Sequence, residues 1–77
     1  MGGAYILVKT QAGKAGQAVK ALRKIKNVVR ADSVTGPYDI IAFAQADNIN
    51  TLGKMIVSKI QTIPGVVETM TCLAVEV

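Results

Sequence analysis

Histidine and tryptophan are absent from these 77 residues, and cysteine occurs once, as Cys72. Without histidine, zinc sites, histidine general bases and Ser/His/Asp groupings lose their usual residue. A lone cysteine excludes an intramolecular disulfide framework and a Cys-x-x-Cys metal site. No glycine-rich phosphate loop is present. No apolar run approaches the roughly 18 residues that span a bilayer, and the N-terminus lacks the charged start of a secretory signal. Met1-Gly2-Gly3 invites myristoylation, but Ile6 stands where that motif needs Ser or Thr. These absences predict a cytoplasmic protein with no cofactor, no metal and no membrane association.

What is abundant is aliphatic. Hydrophobic residues make up 51% of the chain, charged ones 18% and aromatics 4%. The length fits one domain, residues 1–77, near the lower limit at which a chain buries an adequate core alone. That much apolar material exceeds what a small monomer hides, which points to association. The net charge of +4 arises from nine cations and five acids without a dense basic run. It predicts no sequence-specific contact with nucleic acid.

Ala4 to Thr10 reads as a strand, rich in β-branched and aromatic residues and closed by a Gln11-Ala12-Gly13 loop. The period then changes: Ala15, Ala18, Val19, Leu22 and Ile25 mark one face of a helix. Lys20, Arg23, Lys24 and Lys26 lie off that stripe, a solvated face rather than a nucleic-acid surface, and the last of them suit a helix C-terminus. After Asn27, Val28 to Val34 is a second, more polar strand, expected at an edge. Tyr38 to Gln45 is the third strand and Asp47 a candidate N-cap. Ile49, Leu52, Ile56, Ile60 and Ile63 form a longer helical stripe, Pro64-Gly65 ends it, and Val66 to Val77 is the last strand. Gly53 inside this helix costs about 1 kcal/mol against alanine, which predicts close packing there.

The halves repeat. Ile25-x-x-Val28-Val29 overlays Ile63-x-x-Val66-Val67, while the opening tyrosines, Tyr5 and Tyr38, are offset by five residues fewer, a difference absorbed in the second helical segment. The result is an α+β chain in the ferredoxin-like order βαββαβ, with a four-stranded antiparallel sheet. Its first and third strands are apolar on both sides: Ile6 and Val8 oppose Tyr5 and Leu7, and Ile40, Ala42 and Ala44 oppose Ile41 and Phe43. Two helices cover one face of such a sheet. A second copy is the simplest cover for the other, giving a homodimer in the form of a dimeric α/β barrel. Sheet-face RNA recognition needs exposed aromatics, and Phe43 alone does not supply them.

The turn Thr35-Gly36-Pro37-Tyr38-Asp39, feeding Ile40-Ile41-Ala42-Phe43-Ala44, carries the best candidate for chemistry. A strand this apolar does not need Asp39 for packing, and burying an unpaired carboxylate costs several kcal/mol. Asp39 either pairs with a ligand's ammonium or caps its own turn through backbone N–H groups. Gly36 admits backbone angles closed to other residues and lets a ligand approach the main chain, or it simply turns the chain. Pro37 offers no N–H, so Gly36 or Tyr38 would supply donors to a ligand carboxylate. Thr69 and Thr71 alternate with Val67, Leu73 and Val75 on one face of the last strand; their hydroxyls suit a polar ligand or cross-strand pairing. Cys72 reads as a buried small hydrophobe.

The run Val34-Thr35-Gly36-Pro37-Tyr38-Asp39-Ile40-Ile41, with Ile60-x-x-Ile63-Pro64-Gly65-Val66-Val67-x-Thr69-x-Thr71 downstream, resembles the effector-binding (regulation of amino acid metabolism, RAM) domain of Lrp/AsnC transcription regulators. The resemblance covers Tyr5 to Val75. It implies a dimeric α/β barrel assembled into rings of dimers, with amino-acid effectors held between dimers. It also assigns effector contact to Gly36 and Asp39, with Thr69 and Thr71 in the same neighbourhood. Full regulators carry a helix-turn-helix domain that these residues lack, so the chain resembles a stand-alone or excised RAM domain, free to co-assemble with a full-length regulator. The alternatives are a small dimeric α/β-barrel enzyme of the monooxygenase or isomerase type, and a purely structural oligomerisation module.

Overall fold

Apolar residues spaced by two, then by three and four, resolve into strands and helices in the computed structural model, which describes residues 2–75. The order is β1 (Gly2–Thr10), α1 (Ala15–Arg23), β2 (Val28–Ser33), β3 (Ile40–Ala46), α2 (Ile49–Met55) with a π-helical continuation (Ile56–Ile60), and β4 (Val66–Leu73). All pairings are antiparallel, in the sheet order β2-β3-β1-β4. This is the expected ferredoxin-like α+β architecture, with β2 at an edge as its polarity predicts. The last strand is shorter than expected, ending at Leu73, and Glu76 and Val77 lie outside the described residues.

The core lies between the helices and one sheet face. Ile6, Val8, Leu22, Ile40 and Ile60 are wholly buried, each worth about 1.5–3 kcal/mol relative to exposure. Ala4, Ala31, Ala42 and Ala44 share that layer, and such small side chains let the helices lie close to the strands. Helix α1 begins at Lys14 without a side-chain cap and buries Ala18, Val19 and Leu22, so packing rather than capping holds it. Helix α2 is capped, but not by Asp47. The neighbouring Asn48 holds the extended conformation of an N-cap, and its Oδ1 accepts the Thr51 N–H at 2.9 Å.

The expected stripe of α2 is buried at Leu52, Ile56, Ile60 and Ile63, but Ile49 is 60% exposed. Ile49 sits in the first turn and borders a shallow pocket with Gly3 of β1 and Leu73 of β4. The second helical segment widens after Met55: Gln61 N donates to Ile56 O at 2.9 Å, a bond spanning five residues. Ser58 and Thr62 hydroxyls bond back to the Lys54 and Ser58 carbonyls, local competition that favours departure from regular α geometry.

The internal repeat is visible in hydrogen bonds. Val28 N donates to Ile25 O at 3.0 Å, and its counterpart Val66 N to Ile63 O at 3.1 Å. The next carbonyls inward also correspond: Asn27 O accepts from Gln45 N, and Gly65 O from Gln11 N. The strand ladders step over Val29 and Val67, which project outward at 62% and 63% exposure.

The sheet face away from the helices is apolar and open. Tyr5 is 49% exposed, Met70 46% and Ile41 37%, with the Tyr5 and Phe43 rings 4.8 Å apart. Cys72, paired with Tyr5 across β1 and β4, is exposed on this face rather than buried as expected. The helical layer covers less than the sequence suggests, because α1 packs on β2 and β3 and α2 on β3. The helix-side residues Thr71 and Leu73 of β4 stay exposed. The crevice left between α2 and β4 includes Gly53, where an added Cβ would meet nothing within 4 Å, so this glycine answers no close packing. Among the described residues no helix is long and apolar enough to cross a membrane.

Candidate functional site

Antiparallel pairing brings the C-terminal ends of β1 and β2 and the N-terminal ends of β3 and β4 to one end of the sheet. The turn that follows β2 closes there, with Val34 N donating to Asp39 O at 2.9 Å. Gly36 holds φ at +146°, a conformation L side chains rarely adopt, and the space beside it is open. Thr35 is exposed at the outer rim of the turn.

Asp39 is half-buried and anchored to β1. Its N–H donates to Val8 O at 2.9 Å, and its Oδ2 accepts both the Thr10 N–H at 2.8 Å and the Thr10 hydroxyl at 3.2 Å. The expected cap of its own turn is therefore not formed; the carboxylate ties the turn to the end of β1 instead. Among the described residues Oδ1 has no hydrogen-bond partner, and it is not sealed from solvent. Among the described residues the ion pair is Arg30–Asp32, so no cation neutralises Asp39. A half-buried, uncompensated carboxylate with a free oxygen is suited to take an ammonium group.

Tyr38 turns toward the open sheet face. Its hydroxyl donates to Met70 Sδ at 3.8 Å, and Lys9 Nζ lies 5.9 Å from its ring centroid. Thr69 and Thr71 pair with Val8 and Ile6, which places them on the helix side of β4. Gln61, at the end of the π-helical turn, donates Nε2–H to Thr69 Oγ1 at 3.0 Å and lines the α2–β4 crevice together with Thr71. Asp39 bonds β1 from the β3 side, whereas Thr69 flanks β1 from the other. The β3 and β4 backbones that carry the two clusters lie two strand spacings apart, about 10 Å, although the Asp39 carboxylate itself reaches across to β1. The sequence-predicted residues thus divide into Thr35, Gly36, Tyr38 and Asp39 at one place and Thr69 and Thr71 at another.

Thr10 and Gln61 complete these clusters and were not singled out from sequence. Their role depends on pairing register, and the only local sign is a polar residue at the end of an element. On the open face, a notch lined by Tyr5, Arg30, Asp32 and Phe43 holds the remaining charged pair. Arg30 Nε donates to Asp32 Oδ2 at 2.7 Å; this hydrogen bond first, and the charge second, raise the guanidinium above its usual range. Each partner is engaged by the other, which leaves neither free for acid–base work. Among the described residues no group of three or more His, Cys, Asp or Glu is placed to hold a metal ion.

Comparison with known proteins adds four findings. The profile of the Lrp/AsnC ligand binding domain matches residues 3–77. The HTH-type transcriptional regulator FL11 of Pyrococcus horikoshii is 33% identical over 73 residues, which are 95% of this chain and 48% of FL11, so the chain spans about half of that regulator. Among solved structures, TTHA0845 of Thermus thermophilus superposes with a TM-score of 0.93 at 27% identity, covering all of this chain and 96% of that one. The transcriptional regulator NMB0573 of Neisseria meningitidis, solved as a complex with L-Met, shares the fold at 19% identity and a TM-score of 0.86, covering 97% of this chain and 50% of that one.

Proposed function

The chain belongs to the Lrp/AsnC ligand-binding domain family, and from that premise we propose that it is an amino-acid-binding and oligomerisation module rather than an enzyme. The observation that carries this reading is Asp39: half-buried, with no cationic partner among the described residues and one carboxylate oxygen unengaged by them, beside an open glycine turn. The effector's ammonium binds Asp39, and main-chain N–H groups near Gly36 and Tyr38 receive its carboxylate. L-Met in the NMB0573 complex supports a free amino acid as the class of ligand.

The groups of one α-amino acid share a single carbon and do not bridge Asp39 and Thr71 within one chain. Thr69 and Thr71 therefore serve a ligand only if another copy brings them close. The exposed apolar face of Tyr5, Ile41 and Met70 supports a homodimer closed through the sheet, with dimers joining further into rings. Coupling to transcription would run through a helix-turn-helix domain of the family, on the same polypeptide or on a full-length regulator that co-assembles with this domain.

The test is a thermal-shift screen of the assembled protein against the twenty amino acids, followed by calorimetry on any hit. A specific ligand at a hundredfold excess over its Kd stabilises by about 2.7 kcal/mol through mass action. A flat screen, with no amino acid shifting the transition at millimolar concentration, would reject the effector reading.

A further inference from the structure

Charge is divided along this chain in a way its modest total conceals. Seven of the nine cations precede residue 32, and all five acids lie from Asp32 onward. The fold gathers four of those cations on one side of the molecule, while Lys9 lies near the Tyr38 ring, Lys14 packs at Gly65 and Arg30 pairs with Asp32. Helix α1 packs on β2 and β3, and β2 is an edge of the sheet. Lys20, Arg23, Lys24 and Lys26 are exposed along α1 and the turn after it. Arg23 Nε donates to Ala31 O at 3.0 Å, which holds its guanidinium at the flank between helix and edge strand. Asp32 borders the edge pocket beside Arg23, but it lies with Arg30, which engages it, on the open face of β2.

The helix dipole favours cations in the last turn of α1, which holds Lys20 and Arg23, but it does not account for all of them. Lys20 and Lys24 stand one turn apart, where like charges repel. Lys14 sits at the N-terminal end, where the helix dipole disfavours a cation, and the first turn holds no acid. The flank also lacks what a protein partner would use as an anchor: apart from the bulged Val29, no large apolar side chain is exposed there. It has no aromatic ring on which an unpaired base could stack. A surface of cations alone, without anchors or stacking platforms, matches a polyanion of regular charge.

We infer that the α1–β2 flank is a sequence-independent docking surface for the phosphate backbone of a nucleic-acid duplex. The inference is separate from the effector reading, since it uses no residue of the Asp39 turn. It is compatible with dimerisation through the open sheet face, because α1 lies on the opposite face.

The test measures binding of the full chain to a short random-sequence DNA duplex by fluorescence anisotropy between about 50 and 200 mM salt, the range over which counterion release weakens such contacts steeply. The parent should bind with a log–log salt slope of about −3, as expected for three to four neutralised phosphates. The paired variant Lys20→Gln with Lys24→Gln should flatten the slope by about 2 units, because each lost phosphate contact removes about 0.9. The pair Lys54→Gln with Lys59→Gln makes the same change in net charge on α2 and its continuation, and should leave the slope unaltered. Circular dichroism confirms that both pairs remain folded. Equal loss in both pairs would show a response to net charge alone and overturn the surface. No binding at the lowest salt would do the same. Retention on poly-glutamate as strong as on the duplex would assign the flank to an acidic protein and also reject the inference.

Discussion

At the residue scale, Asp39 divides its work between two oxygens. Oδ2 accepts from the Thr10 main chain and hydroxyl, while Oδ1, unengaged among the described residues, is the oxygen that the proposed effector would use. Asp39→Asn keeps an acceptor for Thr10 but removes the charge. We expect effector binding to weaken by about 1.5–3 kcal/mol, the range for hydrogen bonds to charged groups, with the fold and assembly retained. Calorimetry with the best ligand checks the first part and a thermal melt the second; unchanged affinity would confine the carboxylate to joining the turn to β1. Gly36→Ala addresses the backbone. With φ at +146° it should lose about 1–3 kcal/mol of stability, readable in a urea titration, although the space beside it is open. Both residues were legible in the sequence because each breaks a local rule: a carboxylate beside an apolar strand, and a Gly-Pro turn at the join of a repeat. Thr10 was not, since its bond to Asp39 spans 29 residues and exists only once β1 and β3 are in register.

At the scale of elements, periodicity located every strand and helix, and it placed β2 at an edge from its polarity alone. It failed where one residue more or less decides the outcome. The cap of α2 moved from Asp47 to Asn48 because two adjacent residues both qualify chemically and only the backbone conformation selects between them. Asn48→Ala should therefore cost about 1 kcal/mol, and Asp47→Ala close to none, by chemical denaturation of the two variants side by side. The π-helical turn was invisible for a related reason: five extra residues in the second half show that something is accommodated, not how. Gly53 gives the sharper test. An added Cβ there meets nothing within 4 Å, and alanine gains about 1 kcal/mol over glycine inside a helix. Gly53→Ala should raise the melting temperature by about 4–8 °C for a domain of this size. A lowered melting temperature would mean that another copy fills the α2–β4 crevice beside Gly53.

At the scale of the whole molecule, the chain is a sheet with one face covered and the other still apolar. That imbalance was readable as soon as the first and third strands proved hydrophobic on both sides. The incomplete cover of β4 was not, because helix position over a sheet follows from packing of small residues such as Ala42 and Ala44 rather than from any local period. Ile41 lies on the open face of β3, paired with Leu7 of β1, and is 37% exposed in a single chain. Specific interfaces bury about 800 Å² per partner, and a dimer closed through this sheet would bring Ile41 inside it. Ile41→Lys would then carry an extra ammonium into each of two facing sheets, where the cross-strand acid Asp32 is already engaged by Arg30, at a penalty of several kcal/mol per ion, while the half-open position leaves the isolated fold intact. Sedimentation velocity at micromolar concentration should show the parent as a dimer or larger and the variant near the chain mass of 8.1 kDa. Gln17→Lys, exposed on α1 away from both the open sheet face and the α2–β4 crevice, serves as the control and should leave the dimer whole. If the parent itself sediments as a monomer, the open face has some other cover, and a ligand site built between copies goes with it. If both variants stay dimeric, the chains associate through a surface other than this sheet.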